Sequence, residues 1–333
     1  MHNINLDDFN YNLPDELIAQ RLAVPRDSSR LMILQKNNKE DKILHKRFFD
    51  IIDFLKKSDV LVMNNTMVDN AKLIGKKSTG SSAEIVLMKK ISDLEYEVRI
   101  KTKNPMVGNI IILKSSSCEI IDQKTIDTFI VRLSSSKVLE DAILPTPPYI
   151  KRKLSDKEYQ TVYSKIKGSL AAPTAGLHFT KELLEKIKRK GVKIVFVTLH
   201  VSYGTFKNID LEIENHVMDP EYFEITKDAA DAINNRKGRL IAVGTTTLKT
   251  LESSSKNGKI LPSKKYSELF IYPGHKFNSG TDVLITNFHL PKSTLMLLVC
   301  AYAEQDRIMS AYKEAISKKY RFFSLGDAMW IER

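Results

Sequence analysis

The sequence has few of the residues that build disulfide or metal scaffolds. It contains two cysteines, Cys118 and Cys300, which are far apart and belong to no Cys-x-x-Cys pair. No His-Glu-x-x-His motif is present, and no group of His and Cys residues has the spacing of a metal site. These absences argue against a disulfide or zinc framework and predict a protein of the reducing cytoplasm that binds no metal.

Glycine is also scarce, with 13 residues in a chain of 333. The Gly-x-Gly-x-x-Gly fingerprint of dinucleotide-binding and Rossmann methyltransferase folds is missing. The segment Gly75-Lys76-Lys77 lacks the upstream glycine of a phosphate-binding Walker A loop. No Gly-x-Ser-x-Gly sequence indicates a serine hydrolase. The chain therefore carries none of these common signatures of nucleotide binding or acyl transfer.

Long apolar runs are absent as well. The longest, residues 295–303, is far shorter than the roughly 20 residues that cross a bilayer. The first residues of the sequence are acidic and polar, unlike a secretory signal peptide. We therefore expect no membrane partner and a cytoplasmic location.

Positive charge is what the sequence has in excess. It holds 52 Lys and Arg against 40 Asp and Glu, a formal net charge of +12. Basic residues concentrate between residues 150 and 193 and again at 318–321. Such clusters neutralise phosphates and favour a polyanionic partner, most often nucleic acid. Lysine drift in an AT-rich genome explains the net charge equally well, so charge alone does not identify the partner.

The order of predicted elements divides the chain into two kinds of sequence. Helices and strands alternate up to about residue 66 and again from about 147, with a continuous apolar strand at 193–200 that is typical of burial on both faces. Residues 71–135 are short Val- and Ile-rich segments separated by turns, which is typical of a small β-barrel or sandwich. We predict an α/β fold: a mixed-sheet main domain flanked by helices, discontinuous over 1–66 and 147–333, and an inserted all-β barrel over 67–146.

Residues 171–180 are the most informative stretch. They place Pro173, Gly176 and His178 just before a predicted helix at 181–190, with Thr180 as its N-cap and Gly191 as its stop. A loop that leads into a helix N-terminus offers unpaired N–H groups to an anion or an oxygen ligand. For this segment alone, an ordinary capped loop is the alternative.

Three further polar segments follow predicted strands in the C-terminal half. His200 ends one strand, residues 244–246 end another and open a helix, and His289 follows a third. Ligands of open α/β sheets bind beyond the carboxyl ends of strands. These segments and residues 171–180 therefore predict one polar pocket with His178, His200 and His289. A single strand-end histidine is more often structural, whereas three in similar contexts favour a shared site.

Other polar residues have a structural and a functional interpretation. Glu221 follows His216 closely and lies near the candidate loops, although surface solvation is the default for an acid. Residues 26–30 form a dense polar turn that suits either anion contact or a local salt-bridged cap. Aromatic residues beside Arg321 either stack on a nucleobase or fill a core.

Together these segments are similar to the S-adenosylmethionine:tRNA ribosyltransferase-isomerase family of queuosine biosynthesis. The match runs from the first ten residues to the end of the sequence. The matching pieces are residues 9–17, Ala19-Gln20, Pro25-Arg26-Asp27-Ser28-Ser29-Arg30-Leu31, residues 62–66, 147–150, 159–163 and 171–180, Val197-Thr198-Leu199-His200, Gly204-Thr205-Phe206, Ala242-Val243-Gly244-Thr245-Thr246, Thr286-Asn287-Phe288-His289-Leu290-Pro291, and residues 293–295, 320–324 and 326–329.

The resemblance implies an enzyme that uses S-adenosylmethionine as a ribosyl donor, with no further cofactor and no metal. The implied acceptor is 7-aminomethyl-7-deazaguanine at the wobble position of tRNA with a GUN anticodon. The implied products are epoxyqueuosine-tRNA, adenine and methionine. The family fold, an α/β domain with an inserted β-barrel, agrees with the predicted organisation. We expect a monomer.

The resemblance also suggests roles for individual residues, which we state as hypotheses. Acid–base candidates are His178 and His289, followed by His200 and the acidic Glu221. The helix start at residues 244–246 is expected to hold the methionine carboxylate. Candidate donor-binding residues are Pro173, Thr174, Ala175, Gly176, Leu177, Phe179, Gly204, Thr205, Phe206, Gly244, Thr245, Thr246 and Asn287. Candidate tRNA-binding residues are Arg26, Arg30, Lys151, Arg152 and Arg321.

The sequence departs from the family pattern at several positions. Lys249 stands where arginine is expected, which keeps the charge but loses the bidentate guanidinium. The other departures are Met67, Asn70, Ser81, Ser82, Ser202, Asp219, Thr247 and Glu304. Because the central loops match, we expect an active enzyme.

Two alternative functions remain open at this point. Another S-adenosylmethionine-dependent RNA-modifying enzyme, such as a methyltransferase, would release S-adenosylhomocysteine, but the Gly-rich fingerprint is missing. A non-catalytic RNA-binding module explains the positive charge but not the polar loops at the strand ends.

Overall fold

The computed structural model describes residues 4–36, 41–206, 209 and 213–333. In chain order, the strands are β1 (Arg30–Gln35), β2 (Lys42–Arg47), β3 (Val60–Asn64), β4 (Thr66–Val68), β5 (Lys72–Lys77), β6 (Ser82–Lys90), β7 (Glu95–Lys101), β8 (Ile110–Leu113), β9 (Ser117–Gln123), β10 (Thr128–Leu133), β11 (Ile166–Ser169), β12 (Lys193–Leu199), β13 (Glu221–Ile225), β14 (Leu240–Val243), β15 (Ser255–Lys256), β16 (Lys259–Ile260), β17 (Ser263–Ser267), β18 (Val283–Asn287) and β19 (Ala328–Glu332). The α-helices are α1 (Ile51–Phe54), α2 (Lys181–Arg189), α3 (Lys227–Asn234), α4 (Thr245–Ser254), α5 (Thr294–Ala303) and α6 (Gln305–Ser317). Short 3₁₀ turns lie at Leu6–Phe9, Asp15–Leu17, Arg26–Ser28, Phe48–Asp50, Ser136–Asp141, Thr174–His178, Tyr203–Phe206 and Ile213–Asn215.

The chain forms two compact units. The first comprises Met1–Met67, Pro147–Lys153 and Lys157–Arg333, and the second comprises Val68–Thr146 and Leu154–Asp156. The short segment Leu154–Asp156 thus groups with the second unit, although it follows the Pro-rich stretch at 145–148.

A nine-stranded sheet runs through the first unit in the order β17-β13-β12-β3-β14-β18-β19-β1-β2. Strands β12, β3, β14 and β18 are parallel, so their carboxyl ends meet at one edge of the sheet. Strand β19 is antiparallel to β18 and parallel to β1. Strands β2, β13 and β17 pair antiparallel with their neighbours. This mixed sheet confirms the predicted α/β class.

The central strands are apolar on both faces because helices cover both. Side chains alternate along a strand, so Val60 and Val62 of β3 belong to one core and Leu61 and Met63 to the other. Helices α3, α4, α5 and α6 contribute to the first core, and α1 and α2 contribute to the second. None of the helices in the described ranges combines the length and apolar character that crossing a membrane requires.

Strand β12 departs from the prediction of burial on both faces. Val195, Val197 and Leu199 point into the first core. On the opposite face, Phe196 is 40% exposed, and its ring lies against Tyr163 at the edge of the second core, with 5.5 Å between ring centroids. An apolar run therefore predicted the strand correctly but not its half-open face.

The second unit is a barrel of six strands, closed in the order β10-β7-β6-β5-β8-β9. Neighbouring strands pair antiparallel, and alternate side chains such as Ile85, Val98, Ile111, Ile120 and Val131 are buried. Closure leaves no free strand edge. The predicted all-β barrel is confirmed.

Helix α2 begins and ends where its local sequence requires. Thr180 Oγ1 accepts a hydrogen bond from the Leu183 N–H at 3.1 Å, as an N-cap side chain does. Gly191 follows the helix with φ of +86°, a conformation that favours glycine. Leu183 and Ile187 pack into the second core. The predicted N-cap and stop are confirmed.

Replacing Thr180 with alanine should lower the free energy of unfolding by about 1 kcal/mol, because the α2 N-terminus loses its side-chain acceptor. Urea unfolding followed by circular dichroism measures the change. Thr180→Ser keeps the oxygen, including its hydrogen bond to Asp27 Oδ2 at 2.9 Å, and serves as the control. An alanine variant as stable as the serine variant would contradict the role of the cap.

Candidate active site

A cavity opens at the carboxyl edge of the parallel strands in the first unit. Its empty volume, which includes open solvent at the mouth, is about 620 Å³. It is lined by Tyr149, Ala171, Ala172, Pro173, Thr174, Ala175, Val201, Thr205, Gly244, Thr245, Thr246, Thr286, Asn287, Phe288, His289, Leu290, Ser293, Leu295, Phe323 and Ser324.

The N-terminus of helix α4 forms one wall of this cavity. Gly244 turns the chain from β14 into α4 with φ of +92°, which favours glycine. As the N-cap it provides no side-chain acceptor, so the first N–H groups of α4 remain available at Thr245 and Thr246. Both threonines line the cavity. The positive end of the helix dipole therefore favours an anionic group here.

Asn287, the last residue of β18, presents an oriented amide at the cavity wall. It is 2% exposed, and its Nδ2 donates to the Phe323 carbonyl at 3.1 Å and to His178 Nε2 at 3.2 Å. These two bonds use both amide hydrogens and fix which way the amide points. Oδ1 has no hydrogen-bond partner among the described residues. Since a buried acceptor without a partner is costly, Oδ1 is suited to accept from a ligand donor.

His178 is buried behind Asn287 and does not line the cavity. Because Nε2 accepts from Asn287, the proton sits on Nδ1, which donates to Ser29 Oγ at 2.8 Å. The ring stacks on Phe48 with centroids 4.9 Å apart. Burial lowers the pKa of His178 to about 4, so the ring is neutral at pH 7. With both nitrogens engaged, His178 orients Asn287.

His289 does line the cavity. Its backbone is held on both sides: the N–H donates to Tyr312 Oη at 2.8 Å, and the carbonyl accepts from Tyr11 Oη. The ring Nε2 lies 2.8 Å from Thr286 Oγ1, and no hydrogen bond joins Nδ1 to a described residue. Burial lowers the pKa of His289 to about 3, which keeps the imidazole neutral at pH 7.

The other two acid–base candidates lie outside the cavity wall. His200 Nδ1 is 2.8 Å from Thr66 Oγ1, and its ring stacks on Tyr222 with centroids 5.3 Å apart. Glu221 is buried and accepts from Lys249 Nζ at 2.9 Å and from a backbone N–H at the same distance. Lys249, one of the departures from the family pattern, thus neutralises Glu221. Within the described ranges, no group of His, Cys, Asp or Glu is arranged to hold a metal ion.

The structure brings most of the candidate donor-binding residues to the cavity. Those in the wall are Pro173, Thr174, Ala175, Thr205, Gly244, Thr245, Thr246 and Asn287. Leu177 and Phe179 are instead core residues with no exposed surface. Gly176 and Gly204 also lie outside the wall. A Cβ added at Gly176 would come within 2.0 Å of Tyr163 Oη, and one added at Gly204 would come within 2.1 Å of Asp219 Oδ2. The side chain of Phe206 lies outside the part of the chain that the structure describes.

The candidate tRNA-binding arginines are engaged within the protein. They hold neighbouring segments through backbone carbonyls and carboxylates. The contacts are Arg26 to the Gln160 carbonyl at 2.7 Å, Arg30 to the Lys318 carbonyl at 2.7 Å, Arg152 to the Gln20 carbonyl at 2.7 Å and to Glu158, and Arg321 to Asp327 at 2.9 Å. Lys151 is exposed. These arginines therefore have a structural role whatever else they contact.

Sequence reasoning missed several residues of the cavity wall. Tyr149 directly follows the Pro-rich stretch at 145–148, and its hydroxyl forms a hydrogen bond with Ser324 Oγ. Thr286, Ser293 and Phe323 complete the polar and aromatic lining. Each lies within a segment that carries the family resemblance. Their presence in one wall depends on tertiary contacts, which the spacing of the motifs does not reveal.

Comparisons with known proteins identify the family of the chain. The chain matches the family described as queuosine biosynthesis protein over residues 6–331. The chain belongs to this family. It is 48% identical over 339 residues to the S-adenosylmethionine:tRNA ribosyltransferase-isomerase of Thermoanaerobacter sp. (strain X514), covering 97% of this chain and 98% of that protein. The protein of the same name from Desulforamulus reducens is 45% identical over 343 residues, covering 98% of this chain and 100% of that protein.

A solved structure is also similar over nearly the whole chain. The crystal structure of S-adenosylmethionine tRNA ribosyltransferase from Thermotoga maritima has a TM-score of 0.55 and 33% identity, covering 97% of this chain and 99% of that one. The resemblance inferred from the sequence is confirmed, as is the expectation of an enzyme of queuosine biosynthesis.

The buried histidines should make stability depend on pH. In the folded chain the pKa of His178 is about 4 and that of His289 about 3, against about 6.5 when unfolded. Their contribution to the free energy of unfolding is complete above about pH 6.5. It is lost as the pH falls toward the pKa values of the folded chain, by at most about 1.4 kcal/mol per pH unit for each histidine.

Urea midpoints measured between about pH 7 and pH 5 test this dependence. In His178→Gln, which keeps a neutral polar side chain, the midpoint should fall less steeply over that range than in the wild-type chain. Equal slopes in the two proteins would contradict the assignment.

Proposed function

We propose that this chain transfers and isomerises the ribosyl moiety of S-adenosylmethionine onto 7-aminomethyl-7-deazaguanine at the wobble position of tRNA with a GUN anticodon. The products are epoxyqueuosine-tRNA, adenine and methionine. The relatives named S-adenosylmethionine:tRNA ribosyltransferase-isomerase, which match almost the whole chain, support this reaction. The observation on which the location of the reaction rests is the cavity that the α4 N-terminus, Asn287 and His289 line together.

In this proposal the catalytic domain is discontinuous over 1–66 and 147–333, and the barrel over 67–146 is inserted into it. The reaction needs no metal and no cofactor beyond the donor itself. The enzyme works as a monomer in the cytoplasm, where its tRNA substrate is found.

Two polar contacts orient the donor, one at its methionine carboxylate and one at its adenosyl group. Its methionine carboxylate accepts from the N–H groups at the start of α4, where Gly244 lets the chain turn and Thr245 and Thr246 face the cavity. Across the same cavity, Asn287 Oδ1 accepts from an N–H or O–H of the adenosyl group. These two contacts bind opposite ends of one molecule and so define its direction in the cavity.

In this proposal His289 is the residue that removes a proton from the donor and later protonates the leaving group. The sulfonium makes the adjacent C5′ of the donor acidic, so a base begins the reaction. His289 lines the cavity as a neutral imidazole, which is the form that accepts a proton. The imidazolium that forms is the acid that returns this proton to the leaving adenine. His178 acts through Asn287 as a positioning residue.

We expect His289→Ala to slow adenine release by roughly 10²–10⁴-fold, the usual range for loss of a general acid–base group, while S-adenosylmethionine binding stays near wild type. The assay incubates full-length protein with donor and precursor-modified tRNA and quantifies adenine by chromatography. Calorimetry measures donor affinity separately.

His178→Ala is the matched comparison, since it removes a buried imidazole outside the cavity. It should weaken donor binding more than it slows the bound complex. A His289→Ala enzyme with the wild-type rate would overturn the assignment. Release of S-adenosylhomocysteine by the wild type would indicate the methyltransferase alternative, and tRNA binding without donor turnover would indicate a binding module.

The Asn287 acceptor makes a separate prediction. Asn287→Ala should weaken S-adenosylmethionine binding about tenfold, because one buried hydrogen bond to the ligand is lost. Asn287→Asp should be impaired as well, since a carboxylate cannot donate to the Phe323 carbonyl and His178.

Donor analogues identify the group that Oδ1 accepts from. Wild-type protein should lose affinity for an analogue without the adenine amino group or for one without a ribose hydroxyl. Asn287→Ala should not discriminate against that same analogue. A variant that still discriminates against both analogues would show that Asn287 contacts neither group.

A further inference from the structure

We propose that the exposed face of β12, β13 and β17 binds unpaired nucleotides of the tRNA by stacking bases on a row of aromatic rings. The identity of the RNA rests on the proposed function, whereas the surface itself is argued from its own residues. None of the residues that form this surface lines the cavity. It is therefore suited to nucleotides that flank the reacting base.

The aromatic row crosses three elements of the sheet. Tyr222 of β13 lies directly opposite Tyr266 of β17 in the strand register, and their rings meet edge to face with centroids 5.8 Å apart. On the other side, Tyr222 stacks on His200 at 5.3 Å and 21°. Tyr266 is 67% exposed, far more than a ring that completes a core. Its free face is available to a base, whose stacking is tolerant of sequence.

A second exposed ring extends this face along β12. Phe196 is 40% exposed and lies on the same strand that leads into His200. Alternation along the strand puts Phe196 and Thr198 on the face away from the core of Val195 and Val197. The surface thus offers two solvent-exposed rings, Phe196 on β12 and Tyr266 on β17, with β13 between these strands. Exposed aromatic rings on a sheet are a platform that proteins use to bind single-stranded RNA.

Lysines border the rings. Lys264 lies two residues before Tyr266 on the same strand face, and its side chain is 72% exposed. Lys167 is exposed and precedes Gly168, where an added Cβ would come within 2.8 Å of His200 Nε2. The segment that carries Lys167 therefore runs directly beside the aromatic row. Both ammonium groups are placed to neutralise phosphates of a strand whose bases stack on the rings.

The carboxylates of β13 do not oppose such a strand. Glu221 is buried and paired with Lys249. Glu224 accepts from the Tyr222 hydroxyl at 2.9 Å and lies 4.0 Å from Lys264. Lysine is depleted in protein–protein interfaces, whereas aromatic rings interleaved with lysine are typical of nucleic-acid surfaces. RNA is therefore favoured over a protein partner.

Tyr266→Ala should weaken binding of the tRNA substrate about fivefold or more, because one base loses its stacking partner. Tyr266→Phe keeps the ring and should bind within about twofold of wild type. Ile126→Ala, which trims a side chain 90% exposed in the other unit, is the control for loss of exposed apolar surface. Lys264→Gln should reduce the slope of log affinity against log salt by about 0.7–1.

A short single-stranded RNA that contains 2-aminopurine reports stacking directly. Its fluorescence should be quenched by wild-type protein and by Tyr266→Phe, but much less by Tyr266→Ala. Equal quenching and equal tRNA affinity in Tyr266→Ala and wild type would overturn the proposal. Wild-type tRNA affinity in Tyr266→Ala together with loss of a co-purifying protein would assign this face to a protein partner instead.

The test of this RNA-binding surface can be distinguished from the test of the proposed reaction. S-adenosylmethionine affinity should be the same in wild type and Tyr266→Ala, because Tyr266 is not in the cavity wall. Normal adenine release with no effect of Tyr266→Ala on RNA binding would reject this surface and keep the reaction. Loss of RNA binding in Tyr266→Ala, with no adenine release by the wild type, would keep the surface and reject the reaction.

Discussion

The parallel run of β12, β3, β14 and β18 is the constraint on which the rest of the structure depends, because it brings four strand ends to one edge. Asn64, the last residue of β3, holds that edge together. Its Oδ1 accepts from the backbone N–H groups of Thr66 and Leu199 at 3.1 Å, and its Nδ2 donates to the Leu199 carbonyl at 2.9 Å. The segments that leave β12, β14 and β18 then line the cavity.

His178 and His289 are both buried, but their surroundings differ. Both are neutral at pH 7 because desolvation lowers the pKa of each imidazole. Both ring nitrogens of His178 form hydrogen bonds within the protein, one with Ser29 and one with Asn287, and the second bond orients the Asn287 amide. His289 lines the cavity, and its backbone is held by hydrogen bonds to two tyrosines. In the proposed reaction, His178 is therefore the positioning residue and His289 the residue that transfers a proton.

Much of the fold and part of the site followed from local sequence. The N-cap at Thr180, the stop at Gly191, the mixed sheet and the barrel depend on interactions between near neighbours or on side-chain periodicity, which a sequence displays. The half-open face of β12 did not follow, because burial of Phe196 depends on what covers it. The sequence also placed His178 beside His289 as an acid–base candidate, whereas in the structure His178 is not among the residues that line the cavity.

The sequence by itself determined the family, the fold class and the segments that form the cavity, since motif order and periodicity are properties of the chain. Only the tertiary structure decided which residues of those segments face the cavity. The neighbours of a side chain come from other elements of the chain: Asn287 of β18 contacts His178 of a 3₁₀ turn, and Glu221 of β13 contacts Lys249 of α4. Those contacts set desolvation, hydrogen-bond direction and charge pairing, and these in turn separate a residue that can react from one that holds it in place.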